Sequence, residues 1–162
     1  MQLELVDAGY GDDLTEVLIA EIQDEMTVRY GGPDCTPVDP VEFRPPLGAF
    51  LVALVDGDLV GCVGLRAVVD EHAVTDVESP GRDVELKRMY VRFRYRRSGI
   101  GRALLQAAEE RARSLGYRRI LLETGLGQPE AIGLYEAAGY ERVTGFGHYA
   151  RQPDSRAFAK RL

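Results

Sequence analysis

The sequence predicts a mixed α/β fold, one sheet with helices on both faces, and three observations predict it. Apolar residues recur at helical spacing in three segments; short β-rich apolar runs separate those segments; and glycine or proline marks most of the junctions. Hydrophobic residues make up 45% and charged residues 28% of the 162, an ordinary globular composition. A chain of this length suits one domain, residues 1–162, burying about two-thirds of the surface it exposes unfolded.

Residues 2–6 alternate and read as a short edge strand. From 12 to 29, Leu14, Val17, Leu18, Ile22 and Met26 fall on one helix face, with Asp12 and Asp13 where an N-cap and first-turn carboxylates belong. Gly31-Gly32-Pro33 ends that helix, and the proline-rich stretch to Pro46 is a loop. Two β-rich runs, 50–55 and 59–69, flank Asp56-Gly57-Asp58, a hairpin signal. Polar residues 70–82 form a connection to a strand at 84–92. A basic turn with two glycines then opens a helix at 100–115, with Leu104, Leu105, Ala108, Ala112 and Leu115 inward and Gly116 closing it. A buried strand at 119–124, a helix at 129–138 ending at Gly139, and strands at 140–143 and 156–162 complete the chain.

The net charge of −6 is unevenly distributed. Residues 82–119 hold 12 Lys/Arg against 4 Asp/Glu, and the remainder holds 8 against 22. A basic block in an acidic protein marks either a local anion site or a solvated, ion-paired helix face. The acidic remainder would repel nucleic acid. No apolar run approaches the ~20 residues of a membrane span, and the first residues lack the layout of a secretion signal. The two cysteines, Cys35 and Cys62, and the two histidines, His72 and His148, form no metal-ligand spacing. No metal is expected, and the reduced cytoplasm is the expected compartment. A homodimer is compatible with the sequence, which marks no surface for it.

The informative stretch runs from Glu85 through Arg96-Arg97-Ser98-Gly99-Ile100-Gly101-Arg102 to Leu105. A helix start leaves backbone N–H groups unpartnered and carries about half a positive charge. Gly99 and Gly101 clear the approach, while Arg96, Arg97 and Arg102 add charge, so two adjacent phosphates would suit the turn. Tight-turn geometry alone also accounts for such glycines. The turn is neither a nucleotide P-loop, since no Gly-Lys-Ser/Thr follows, nor a dinucleotide fingerprint, since Leu104 stands at the third glycine position.

Together with its surroundings, this stretch resembles the GNAT superfamily of N-acetyltransferases. Arg96-Arg97-Ser98-Gly99-Ile100-Gly101 matches the family's Arg/Gln-x-x-Gly-x-Gly/Ala loop, and Leu134-Tyr135-Glu136-Ala137-Ala138-Gly139-Tyr140 matches its second motif. The likeness covers residues 51–143 and extends loosely to both ends. It departs where the family favours proline near Phe93, glycine at Arg97 and asparagine at Gln128. The resemblance implies a mostly antiparallel sheet whose fourth and fifth strands splay into a cofactor slot, with acetyl-CoA as cosubstrate. It implies that Met89, Tyr90 and Val91 carry the pantetheine arm along a bulged strand, that the loop from Arg96 to Arg102 holds the pyrophosphate, and that Gln128 lies near the cofactor. A backbone N–H near Val91 would then face the thioester oxygen.

Amine acetylation requires a base, because a primary ammonium has a pKa of about 10.4. Glu85 is the first candidate, placed on the cofactor strand and on the face of Met89 by period-two alternation; a structural ion pair with a neighbouring base is the other reading. Glu123 is the alternative base. Tyr135 matches the family tyrosine that protonates the departing thiolate, and equally fits a core aromatic. Cys62 reads as core, Cys35 has no histidine nearby in sequence, and His72 and His148 read as surface or strand-end residues.

In the family the acceptor site is built by the first helix, its following loop and the last strands. Here the first two carry Asp12, Asp13, Glu16, Glu21, Asp24, Glu25, Asp34, Asp39 and Glu42, which suit a cationic small-molecule amine or serve only solubility. Arg44 and Arg66 could instead take an acceptor carboxylate. A protein N-terminus or lysine as acceptor, or a non-catalytic acyl-CoA sensor, are the competing functions.

Overall fold

The computed structural model describes residues 1–68 and 83–162; the whole of the expected connection at 70–82, with His72, and the last residue of the expected strand at 59–69 lie outside them. Among the described residues, seven strands form one sheet in the order β1-β2-β3-β4-β5-β7-β6. They are β1 (Leu3–Asp7), β2 (Ala49–Val55), β3 (Asp58–Ala67), β4 (Asp83–Val91), β5 (Arg119–Gly125), β6 (Glu141–Val143) and β7 (Ser155–Arg161). Every pairing is antiparallel except β4 with β5. The mixed, mostly antiparallel α/β fold is thus the one expected.

Three helices cover the sheet: α1 (Asp13–Tyr30), α2 (Ile100–Ser114) and α3 (Pro129–Ala137). β2 is a continuous apolar run because both of its faces are covered. Leu51, Ala53 and Val55 join the core under α2 and α3, with Val63, Leu65, Leu104, Ala108 and Tyr135. Phe50 and Val52 join the second core under α1, with Leu18, Ile22 and Phe43.

The buried stripe of α1 differs from the one expected. Leu18 and Ile22 are buried, but Leu14 and Val17 are about half exposed, and Thr15 takes the inward place. The Thr15 hydroxyl donates to the carbonyls of Gly9 and Asp12, at 2.7 and 2.9 Å. That polar anchor sets the rotation of the first turn, which hydrophobic periodicity alone does not register. At the other end Gly31, at φ +81°, closes the helix through its N–H to the Thr27 carbonyl.

Candidate active site

The site forms where β4 and β5 part. Their parallel ladder holds for Asp83–Arg119, Val84–Ile120 and Glu85–Leu121 and goes no further, although β4 runs on to Val91 and β5 to Gly125. β4 also bulges against β3: the register passes from Gly64–Lys87 to Cys62–Tyr90, one extra residue on β4, with Arg88 at φ +57°. The bulge shifts the phase of the strand. Val84, Leu86, Met89 and Val91 pack on the α2 side, and Tyr90 packs on the α1 side. Glu85 bonds Arg66 on the α1 side, so Glu85 and Met89 lie on opposite faces. The expectation that they share one face is corrected; simple alternation fails across a bulge.

Beyond the bulge, the Arg92 N–H donates to the Val60 carbonyl at 2.8 Å. Backbone groups alternate along a strand, so the Val91 N–H and C=O point the other way, into the gap; the Val91 carbonyl accepts from Arg96 Nε at 2.8 Å. Next to this gap α2 begins. Gly99 is its N-cap at φ +88°, and an added Cβ there would meet nothing within 4 Å. Arg97, Ser98, Gly99 and Arg102 are exposed around the turn, Ile100 is buried, and Gly101 packs near Met89 and Leu134. Arg97 has φ +62°, the left-handed conformation glycine adopts freely. Arg96 is turned instead toward α1, where it pairs with Glu25 at 2.7 Å.

Met89, Tyr90, Gln128 and Tyr135 line a cavity of about 90 Å³ in the gap, together with Glu85 and Glu123. A larger cavity of about 380 Å³ adjoins it, sharing Lys87, Glu123 and Gln128 and roofed by residues 32–35 of the loop after α1. Gln128 caps α3, and its Oε1 accepts from the Tyr30 hydroxyl at 3.2 Å. Tyr30 lies flat enough on Gly125 and Gly127 that a Cβ at either would come within 2.9 Å of its ring, which closes that side of the cavity.

Two carboxylates sit here with different partners. Glu85 is an ion-paired group, its Oε2 accepting from Arg66 Nε at 2.9 Å. Glu123 lines both cavities and accepts from Ser155 Oγ at 3.3 Å. Burial, reinforced by the charge of Glu85, pushes its carboxyl up to about 7 against the opposing pull of Lys87. Tyr135 is 5% exposed, and burial pushes its phenol well above the ordinary value.

The Acetyltransferase (GNAT) family model matches residues 17–140. The chain belongs to the GNAT acetyltransferase family. It is 36% identical over 113 residues to IAA acetyltransferase of Azospirillum brasilense, covering 70% of this chain and 67% of that one. It is 31% identical over 129 residues to human N-acetylaspartate synthetase, covering 80% of this chain but 39% of that one; the chain spans about two fifths of the vertebrate relatives it matches. A Klebsiella pneumoniae structure assigned as an acyl-CoA N-acyltransferase superposes with a TM-score of 0.76 at 27% identity, over 99% of this chain and 98% of that one. The PaiA N-acetyltransferase of Thermoplasma acidophilum, solved in complex with coenzyme A, shares the fold at 18% identity, TM-score 0.72 and full coverage of both chains.

In this GNAT chain the acidic first helix and loop meet the basic centre in ion pairs. Glu21 pairs with Arg92, Glu25 with Arg96 and Arg29, Asp34 with Lys87 and Arg88, and Glu42 with Arg66. Of the nine acidic residues considered for acceptor binding, only Asp34 lines the larger cavity. Sequence reasoning missed Asp34 as the hub of the site and Tyr149 as its partner, whose hydroxyl donates to Asp34 at 2.9 Å. Their contact joins residues 115 apart, and no local pattern signals it. Cys62 is buried as expected, Cys35 is exposed at the cavity, and His148 stacks edge-on against Tyr149 outside the cavity lining. Among the described residues no cluster suits a metal ion, and no helix is long and apolar enough to cross a membrane.

Proposed function

We propose that this chain, as one domain, is an acetyl-CoA-dependent N-acetyltransferase that acetylates the primary amine of a small molecule by direct attack in a ternary complex. The observation that carries this reading is the early end of the β4–β5 ladder beside the glycine-capped start of α2, with Glu123 at the junction of gap and cavity. The pyrophosphate sits on the first-turn N–H groups of α2, beside Arg97 and Arg102, and the pantetheine arm lies along Met89, Tyr90 and Val91. A cavity of about 380 Å³ roofed by a loop suits a small acceptor better than a peptide. Both thiols are free, as in a reducing cytoplasm, where we place the reaction.

Glu123, rather than Glu85, is the general base. A carboxylate that titrates near neutrality both accepts the ammonium proton and is present in its basic form; Glu85 is held by Arg66. The neutral amine attacks the thioester carbonyl, and the charge growing on its oxygen meets the Val91 N–H. Collapse expels the thiolate, which takes its proton from Tyr135 as the acetylated nitrogen gives up its second proton to restore the Tyr135 phenol, leaving the neutral amide and the free thiol. Thiol release from acetyl-CoA, followed across a panel of amines and peptides, tests the whole scheme. Coenzyme A stabilisation without turnover of any amine would leave a sensor, and peptide turnover alone would move the acceptor class to proteins.

A further inference from the structure

We infer that the acceptor amine also carries a carboxylate and that Lys87 is the cation that holds it, so the preferred substrates are amino acids or similar zwitterions. This deepens the acetyltransferase reading above and rests on it.

The argument starts from which charges line the larger cavity. Among the described residues its carboxylates are Asp34, Glu123 and Asp154, and Lys87 is the one lysine or arginine. Asp34 has no capacity left. It accepts from Arg88, from Lys87 at 3.2 Å, from Tyr149 at 2.9 Å, and from the Thr36 N–H and hydroxyl at 2.9 and 2.6 Å, which exceeds the roughly four lone-pair sites of a carboxylate. Glu123 is reserved for the reacting amine. A second ammonium, as in a diamine, would have only Asp154, which is exposed at the rim, where solvent and salt screen the attraction.

Lys87 is placed differently. Its side chain is 11% exposed and gives one of its three N–H groups to Asp34. It lines both the gap and the larger cavity, as Glu123 does. Lys87 is on β4 and Glu123 on β5, so the two flank the point where the strands separate. A zwitterion with its amine at Glu123 and its carboxylate on Lys87 meets both charges at once. Burial holds the Lys87 ammonium below its ordinary pKa despite Asp34 and Glu85, and an anion brought into a dry site beside it forms a charge-assisted hydrogen bond. Arg44 and Arg66, the cations the sequence suggested for this task, do not line the cavity, and Arg66 is held by Glu42 and Glu85.

The test is thiol release from acetyl-CoA with the twenty amino acids, each beside its amide, together with simple alkylamines and diamines. In the unaltered protein at least one free amino acid should exceed its own amide roughly 100-fold in kcat/KM, because the neutral amide leaves the buried Lys87 charge without the counter-charge the acid supplies. Lys87→Met should bring that ratio close to one, chiefly through KM of the acid, and Lys87→Arg should restore part of it; should Lys87→Met fail to fold, Lys87→Gln takes its place. Amides, alkylamines or diamines used better than acids, or a ratio untouched by the Lys87 changes, would overturn the inference and leave the acetyltransferase reading standing. No thiol release with any amine would remove both.

Discussion

Asp34 and Arg88 form an ion pair, with the Arg88 side chain 3% exposed, that ties the loop after α1 to the bulge of β4. Arg88 also reaches the Tyr10 hydroxyl at 3.4 Å, and its backbone holds a positive φ that a long side chain adopts only when its surroundings enforce it. The pair therefore acts on the shape of the strand that faces the gap, as well as on the wall of the cavity.

Asp34→Ala should accordingly destabilise the protein by about 3 kcal/mol, the lower end for removing one partner of a buried pair, lowering Tm by roughly 6–12 °C in calorimetry. Burial works against the ionised form of Asp34, but the charges of Lys87 and Arg88 and the hydrogen bonds from Thr36 overcome it and hold the carboxyl well below the usual range. Its contribution is complete above the unfolded-state pKa of about 3.9 and is lost as pH falls toward the folded value. Acid unfolding between about pH 4 and 2 should thus be shallower in Asp34→Asn than in the unaltered protein. Identical acid limbs would deny Asp34 this role.

Glu123 titrates in the opposite sense. Its folded pKa of about 7 lies above the unfolded value, so the folded state holds the proton more tightly and stability falls as pH rises through the window from about 4.5 to 7. Glu123→Gln should raise Tm above pH 7 and leave it nearly unchanged near pH 5. The same change should lower kcat/KM by roughly 10²- to 10³-fold and remove the rise of rate with pH centred near 7. Glu85→Gln should show the converse, a loss of Tm from weakening the Arg66 pair and a kcat within about threefold. A larger rate loss for Glu85→Gln than for Glu123→Gln would return the base to Glu85.

At the start of α2, Arg97 and Gly99 both have positive φ. A side chain in that region costs about 1 kcal/mol, so Arg97→Gly should raise Tm by roughly 2–4 °C while weakening acetyl-CoA binding several-fold through the lost charge. Gly99→Ala should lose about 1 kcal/mol of stability and raise KM for acetyl-CoA, since its Cβ enters the open space over the turn. Unaltered KM in both variants would move the pyrophosphate elsewhere.

How much of this was legible in the sequence depends on the range of the interaction involved. The turn at Gly99, the αL caps at Gly31 and Gly139 and the hairpin at Asp56-Gly57 are set within a few residues, and local chemistry announces them. The two-sided burial of β2 follows from its uninterrupted apolar run. The phase of β4 was misread because a bulge adds one residue without leaving a mark in composition. The sequence ranked Glu85 ahead of Glu123 as the base because it could not register the ion pair with Arg66, 19 residues before Glu85, or the burial of Glu123. The acidic first helix suggested a cationic acceptor, but Arg92 and Arg96 pair with its Glu21 and Glu25 and none of its carboxylates lines the larger cavity, which only the folded arrangement reveals.

Tyr135 offers the sharpest separation of chemistry from packing. It lies at the end of the gap, 5.7 Å centroid to centroid from Tyr140 and 6.4 Å from Phe158. Burial keeps its phenol protonated at any working pH and disfavours the phenolate, so Tyr135 donates to a departing thiolate only as it takes back the proton of the acetylated nitrogen. A thiol pKa of about 8.5 makes that help modest, so Tyr135→Phe, which keeps the ring, should lower kcat by roughly 10- to 100-fold with little change in Tm or in KM for acetyl-CoA. Tyr140 is the control. It is also buried but bonds Glu109 at 3.2 Å away from the gap, so Tyr140→Phe should cost about 1 kcal/mol of stability and leave kcat within about twofold. Equal kcat for Tyr135→Phe and the unaltered protein would make Tyr135 a core aromatic, with the thiolate taking its proton from water.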